Sequence, residues 1–146
     1  MQFEPIKQEY LKGIESLNEI CFHAPERWSG DVLTPFLQRE HGIVALIDDK
    51  VVGYILFRPK NHRLRVVSLA VMPQYRRMNI ASTLLSQAFD KYPGTWDLHV
   101  RTTNTAAQML YLKMGFEAIE IIDNYYGDED AVLMLRLDKN IEAESE

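Results

Sequence analysis

Two adjacent arginines, Arg76 and Arg77, lie between an apolar run and a helical pattern in the segment VVSLAVMPQYRRMNIASTLL, Val66 to Leu85. Val66, Val67, Leu69, Ala70 and Val71 read as a buried strand that breaks at Met72-Pro73. A strand that feeds straight into a helix leaves the first backbone N–H groups of that helix unpaired and its positive dipole end exposed. Such an end accepts an anion, and the two guanidinium groups add formal charge beside it. The chemistry this suits is the holding of a phosphorylated ligand. Taken without their surroundings, the same arginines would read more readily as a solvated helix start.

The elements that must position this turn follow from periodicity. Met1 to Ile6 suits a short strand, and Tyr10, Leu11, Ile14, Leu17, Ile20 and Cys21 recur at helical spacing up to His23-Ala24-Pro25. Ser29 or Asp31 can cap a second helix containing Val32, Leu33, Phe36 and Leu37. From Gly42 the texture is β: Ile43–Ile47 and Val51–Phe57 flank a hairpin signal at Asp48-Asp49-Lys50, and Pro59 to His62 turns into a strand over Leu64–Val71. The helix after the arginines carries Ala81, Leu84, Leu85, Ala88 and Phe89 on one face and stops at Pro93-Gly94. Trp96–Val100 is a strand. Asn104 opens a helix with Ala107, Leu110, Tyr111 and Met114 on one face, closed by Gly115. Strands at Phe116–Ile122 and Ala131–Leu137 bracket the polar loop Asp123–Asp130.

The order is β-α-α-β-β-β-α-β-α-β-β, an α/β (α+β) chain with a mixed sheet and helices on both faces. Residues 1–137 are expected to form a single domain, and 138–146 an acidic, disordered tail. A net charge of −5 argues against general binding to a nucleic-acid backbone. The one basic cluster, Lys60, His62, Arg63 and Arg65, reads as a solvated hairpin tip. Cys21 is the only cysteine, which excludes an intrachain disulfide and points to a reducing compartment. With no secretory pattern and no apolar run of membrane-spanning length, a cytoplasmic protein that binds no membrane is expected. The four histidines show no metal-ligand spacing, so no metal is expected.

Three segments combine: Gln74–Leu85, LHVRTTNTAAQMLYLKMGF at Leu98–Phe116, and DNYYGDEDAVLMLRL at Asp123–Leu137. Together with the element order they resemble the GNAT (Gcn5-related) N-acetyltransferase superfamily. Within it they are most similar to the N-terminal (Nα) acetyltransferases of RimI-like and eukaryotic type. The resemblance covers roughly residues 1 to 137 and implies the GNAT acyl-CoA N-acyltransferase fold with acetyl-CoA as co-substrate. It implies that the backbones of Leu69 and Val71 pair with the pantetheine arm and that Asn104 contacts the arm farther along. Arg76, Arg77, Met78, Asn79, Ile80, Ala81 and Ser82 would hold the pyrophosphate. Asn79 replaces the first glycine of the family's loop; asparagine is the non-glycine residue most tolerant of a left-handed backbone. If the ligand needs glycine for close approach, the Asn79 side chain would weaken binding.

The same resemblance implies that a backbone N–H near Val71 polarises the thioester carbonyl and that Tyr111 protonates the departing sulfur. Read alone, Tyr111 also continues the apolar face of its helix. His99 stands where RimI-like enzymes carry glutamate and some eukaryotic Nα enzymes carry histidine paired with a tyrosine, here Tyr75. His99 is accordingly the expected general base, through water, with Tyr75 assisting, and an imidazole that titrates near ~6.5 suits the task. An α-amine (~8) needs only about 1 kcal/mol to become neutral at pH 7, whereas lysine (~10.4) needs nearly 5, so a lone histidine favours a protein or peptide N-terminus as acceptor. Tyr125 and Tyr126 match the paired tyrosines that hold the substrate backbone. Phe22, Pro25 and Trp28 could shape a pocket for its first residue. Cys21, on an apolar helix face with no adjacent base, reads as inert. A small amine (a polyamine or amino sugar) or a lysine side chain as acceptor, and a degenerate binding module, remain alternatives. An accessory subunit or a homodimer stays open.

Overall fold

A computed structural model describes residues 1–22 and 30–138. Seven strands, β1 (Gln2–Pro5), β2 (Gly42–Ile47), β3 (Lys50–Lys60), β4 (Arg63–Val71), β5 (Trp96–Arg101), β6 (Glu117–Ile122) and β7 (Ala131–Arg136), form one sheet in the order β1-β2-β3-β4-β5-β7-β6. Helices α1 (Leu11–Cys21) and α2 (Gly30–Arg39) follow β1, α3 (Ile80–Lys91) follows β4, and α4 (Thr105–Lys113) follows β5. The expected element order is thus the observed one. Both β-hairpins of the first half turn in two residues. Asp48 and Asp49 (φ 51° and 64°) join β2 to β3, and Asn61 and His62 (φ 51° and 65°) join β3 to β4. Paired positive φ angles match the right-handed twist of the flanking strands. For the same reason β3 extends to Lys60, farther than the residue pattern alone indicates.

The chain divides into two compact units. The first comprises Met1–Arg58 and Val67–Ala88. Its core includes Ile14 and Leu17 of α1, Leu33 of α2, and Tyr54 and Leu56 of β3, all fully buried. One polar device sits inside this apolar set. The Tyr54 hydroxyl accepts from Asn18 Nδ2 at 3.1 Å and shares a 2.9 Å hydrogen bond with Ser68 Oγ, so α1, β3 and β4 meet on one phenol. Gly53 has a packing reason to be glycine: a Cβ there would come within 3.1 Å of Ile80 Cγ2 and 3.3 Å of Ala70 O. The missing side chain lets the first turn of α3 lie on β3. Leu84 and Leu85 of α3 are completely buried, each contributing about 2 kcal/mol by area removed from water.

The second unit comprises Pro59–Val66 and the chain from Phe89 onward. The parallel ladder between β4 and β5 is made by Leu64↔Trp96 and Arg65↔Asp97, and β7 pairs antiparallel with both β5 and β6. Trp96 is fully buried, stands edge-on to Phe89 (5.4 Å, 66°) and donates from Nε1 to Tyr92 O. The Arg136 guanidinium lies 4.0 Å over the Phe89 ring while its Nε donates to Met114 O. Gly115 ends α4 at φ +96°, a conformation that favours glycine. The edge strand β6 carries a register irregularity between Ala118 and Glu120. No buried side-chain nitrogen or oxygen lacks a partner among the described residues.

Tyr54→Phe should therefore lower stability by about 1–2 kcal/mol, since Asn18 and Ser68 each lose a buried hydrogen bond. The expected fall in melting temperature is roughly 3–6 °C for a chain of this size. An unchanged melting temperature would mean the phenol hydroxyl adds nothing to the core.

Candidate active site

In the first unit the turn after β4 is built from left-handed residues. Pro73–Tyr75 forms one 3-10 turn, Arg77 adopts φ 69° and Asn79 φ 60°. Asn79 therefore takes the backbone conformation that asparagine tolerates better than other non-glycine residues. Its carbonyl accepts three donors, Thr83 N at 3.0 Å, Ser82 Oγ at 3.1 Å and Thr83 Oγ1 at 2.7 Å. Thr83 N makes the first bond of the helix ladder, so the N–H groups of Ile80, Ala81 and Ser82 precede it. Arg77, Met78 and Asn79 are exposed. Arg76 behaves differently from the expectation of a free anion-binding arm. Its Nε donates to Val71 O at 3.1 Å and its Nη2 lies 3.7 Å from Cys21 Sγ. Cys21 is half-buried, and its thiol points to the same Val71 carbonyl at 3.7 Å. Arg76 thus braces the end of β4 against the end of α1. Leu69, Tyr75 and Phe22 of this unit are half-buried and Val71 is buried. Pro25 and Trp28 lie outside the described residues.

In the second unit the strand β5 alternates. Trp96, Leu98 and Val100 are buried on one face, while Asp97 and His99 share the other. His99 is stacked on Tyr125, ring centroids 4.2 Å apart and planes within 10°. Tyr125 in turn stands edge-on to Tyr126 at 4.9 Å. Three residues that the sequence nominates separately are therefore one aromatic array. Burial, then the Arg65 guanidinium, hold the His99 imidazole below its ordinary value, with Asp97 and Glu120 opposing and Lys60 assisting. Tyr111 packs edge-on to Phe116, and burial with the nearby Tyr126 pushes its phenol up, so it is protonated at neutral pH. Tyr126 is likewise pushed up to about 12, by burial first.

The loop that carries these tyrosines is tied to the end of β5 by one carboxylate. Glu129 accepts from Thr103 N at 2.7 Å, Thr102 Oγ1 at 3.1 Å and Arg101 Nη1 at 3.2 Å. Arg101 also reaches Asp128 at 3.0 Å, and its guanidinium lies 4.3 Å over the Tyr126 ring. Inside the loop, Tyr126 N donates to Glu129 O and Asn124 N to Asp130 Oδ1. Asn104 caps α4, its Oδ1 accepting from Ala107 N at 3.2 Å.

The basic cluster needs a correction. Arg65 is not part of a solvated tip: its side chain is 17% exposed and forms two bonds to Asp97, Nε to Oδ1 at 2.8 Å and Nη2 to Oδ2 at 3.0 Å. Asp97 is buried, and a buried carboxylate requires such a partner. Arg63, more exposed, touches the same carboxylate at 3.5 Å. The signal in the sequence was Asp97 itself, a carboxylate flanked by Trp96 and Leu98 near the start of a buried strand. Among the described residues no group of three His, Cys, Asp or Glu could hold a metal, and no helix is long and apolar enough to cross a membrane.

Hydrogen bonds from Thr103, with Arg101 and Thr102, hold the Glu129 carboxyl down at about 2, well below its free value of 4.5. A carboxyl lowered by folding stabilises fully above its free value and loses that contribution as the pH falls through its folded value. The Thr103 amide should keep its hydrogen-exchange protection at pH 5 and lose it progressively between about 4.5 and 2. Glu129→Gln should lose that protection already at pH 5. Equal protection in both proteins at pH 5 would show that the carboxylate does not hold the loop.

Comparison with known proteins shows the family of the chain. The model of the acetyltransferase (GNAT) family matches residues 10–116. An N-alpha-acetyltransferase of Saccharolobus solfataricus is 36% identical over 122 residues, 67% of this chain and 71% of that protein. The N-alpha-acetyltransferase 50 of Danio rerio is 31% identical over 127 residues, 80% of this chain and 74% of its own length. Among solved structures, Arabidopsis thaliana Naa50 in complex with the bisubstrate analogue CoA-Ac-MVNAL superposes with a TM-score of 0.80 at 26% identity, covering 92% of this chain and 97% of that one. The chain belongs to the GNAT acetyltransferase family.

Proposed function

We propose that this protein moves acetyl from acetyl-CoA to the α-amino group of a protein or peptide N-terminus by direct transfer. The observation that carries the reading is the His99–Tyr125–Tyr126 array: an imidazole on a strand stacked on one tyrosine of a tethered loop, which stands edge-on to the next. The similarity to chains named N-alpha-acetyltransferase supports the same acceptor.

Acetyl-CoA enters as a co-substrate, and the turn after β4 fits it. The N–H groups that precede the α3 ladder donate to the pyrophosphate oxygens, with Arg77 and the exposed Met78 and Asn79 on the rim. Arg76, engaged with Val71 O, contributes by fixing the end of β4 along which Leu69 and Val71 receive the pantetheine arm. The family resemblance assigns Asn104 to that arm, Tyr125 and Tyr126 to the acceptor backbone, and Phe22 to the pocket for its first side chain.

The acceptor arrives largely as an ammonium. His99, held neutral by its surroundings, takes that proton through water with Tyr75 assisting, and the freed amine attacks the thioester carbonyl. A backbone N–H near Val71 stabilises the oxyanion. The C–S bond then breaks, Tyr111, protonated at neutral pH, gives its proton to the thiolate, and the second proton that the new amide nitrogen sheds returns through water to the phenolate.

His99→Ala should lower kcat about 100-fold or more at pH 7 while acetyl-CoA affinity stays within about twofold. Thiol release measured with peptides of varied first residue, N-terminally blocked lysine peptides and polyamines tests the acceptor. Turnover only with the blocked peptides or polyamines would overturn the Nα reading. A thermal-shift titration with acetyl-CoA must raise the melting temperature by mass action, and no rise would leave only a binding module that has lost its co-substrate.

A further inference from the structure

The most unusual charge in the described residues is Asp97. Carboxylates are rarely placed inside a sheet, because taking an ion out of water costs several kcal/mol unless a partner repays it. Here the partner is Arg65, directly across the parallel β4–β5 ladder and bonded through both nitrogens to both oxygens. Replacing the pair by two apolar residues would satisfy the packing at no electrostatic cost. Its placement offers a reason for keeping it. Asp97 and His99 are two residues apart on β5, so their side chains leave the same face, about 7 Å apart along the strand. The pair therefore lies beside the imidazole on the face of β5 where Tyr125 stacks on His99. The other groups around His99 are few. Lys60 stands on the β3–β4 hairpin side and Glu120 on β6, Tyr125 comes from the loop, and β7 presents Leu133 directly opposite.

We propose that the Arg65–Asp97 pair is a positioning element for His99: a guanidinium fixed on a buried carboxylate, two residues along the same face of β5, sets how readily that ring accepts a proton. The assignment rests on His99 as the proton acceptor of the reaction proposed above. The geometry gives each partner an opposite action on the ring. The Arg65 cation disfavours a second positive charge on His99, and the Asp97 anion favours it, so the pair sets the ring's titration by the balance of the two. A bidentate guanidinium cannot swing away from its carboxylate as a lysine can, and this holds the balance constant.

The test is an NMR titration of the imidazole signals, with His99 identified by the signal missing in His99→Ala. Arg65→Gln should move the His99 midpoint up and Asp97→Asn should move it down, each by about 0.5 to 1.7 in pH, the span for one charge at about 7 Å between a water-like and a protein-surface dielectric. Arg65→Lys, which keeps the charge, should leave the midpoint within about 0.2 of the parent. The acid limb of kcat/KM should move with the midpoint in each variant. A pair that only supported the fold would lower the rate at every pH and leave the midpoint in place. Midpoints that stay fixed, or that move the same way in both variants, overturn the inference even if His99→Ala is inactive. Midpoints that move as expected in a protein whose His99→Ala variant turns over normally overturn instead the reading of His99 as the base.

Discussion

The buried ion pair between Arg65 and Asp97 is the constraint around which the second unit is arranged. It spans the β4–β5 ladder, where two strands that are distant in sequence run parallel. Parallel pairing is not enforced by a tight turn, so its register must be specified by side chains. A slip by one residue would turn Asp97 to the apolar face and bring Trp96, Leu98 and Val100 out of the core. The cost of an unpartnered carboxylate among aromatic rings makes that alternative prohibitive. With the register fixed, β5 presents His99 on the face that the 123–130 loop can cover.

A second fixed point is Glu129. The loop between β6 and β7 has no regular structure, yet one carboxylate gathers a backbone N–H, a hydroxyl and a guanidinium from the end of β5. Hydrogen bonds to an ionised acceptor are roughly twice as strong as neutral ones. A loop held this way can present two aromatic rings in defined orientations without being buried itself, and Tyr125 remains exposed. The first unit uses the same economy. The Tyr54 hydroxyl joins three elements, and the Val71 carbonyl gathers Arg76 and Cys21 at the strand end.

The element order was legible in the sequence because it rests on local signals, period, caps and turn residues, whereas the candidates His99, Tyr111, Tyr125 and Tyr126 came from the resemblance of their motifs to a family. The hairpin at Asn61-His62 was placed within a few residues because two-residue turns leave little freedom. What stayed hidden depends on pairs far apart in the chain. Arg65 looked solvated because its neighbours Lys60, His62 and Arg63 are polar; its partner is 32 positions away and is chosen by strand register. The stacking of Tyr125 on His99 is hidden in the same way. Arg76 reads as a free cation from its neighbours. Only the fold shows the carbonyl within its reach, because the chain doubles back through Pro73–Tyr75.

Among the described residues the sheet ends at β6, and no described strand lies along its outer edge. Ile119 and Ile121 are more than half exposed there, a composition that invites growth of the sheet. The register irregularity between Ala118 and Glu120 changes the outcome. An extra residue bends the strand and twists its edge, so a straight incoming strand can align its hydrogen bonds with only one side of the bend. Glu117 and Glu120 add like charges that would repel an identical edge. The molecule can therefore leave two isoleucines in water at its border while denying other copies a template for fibrillar stacking.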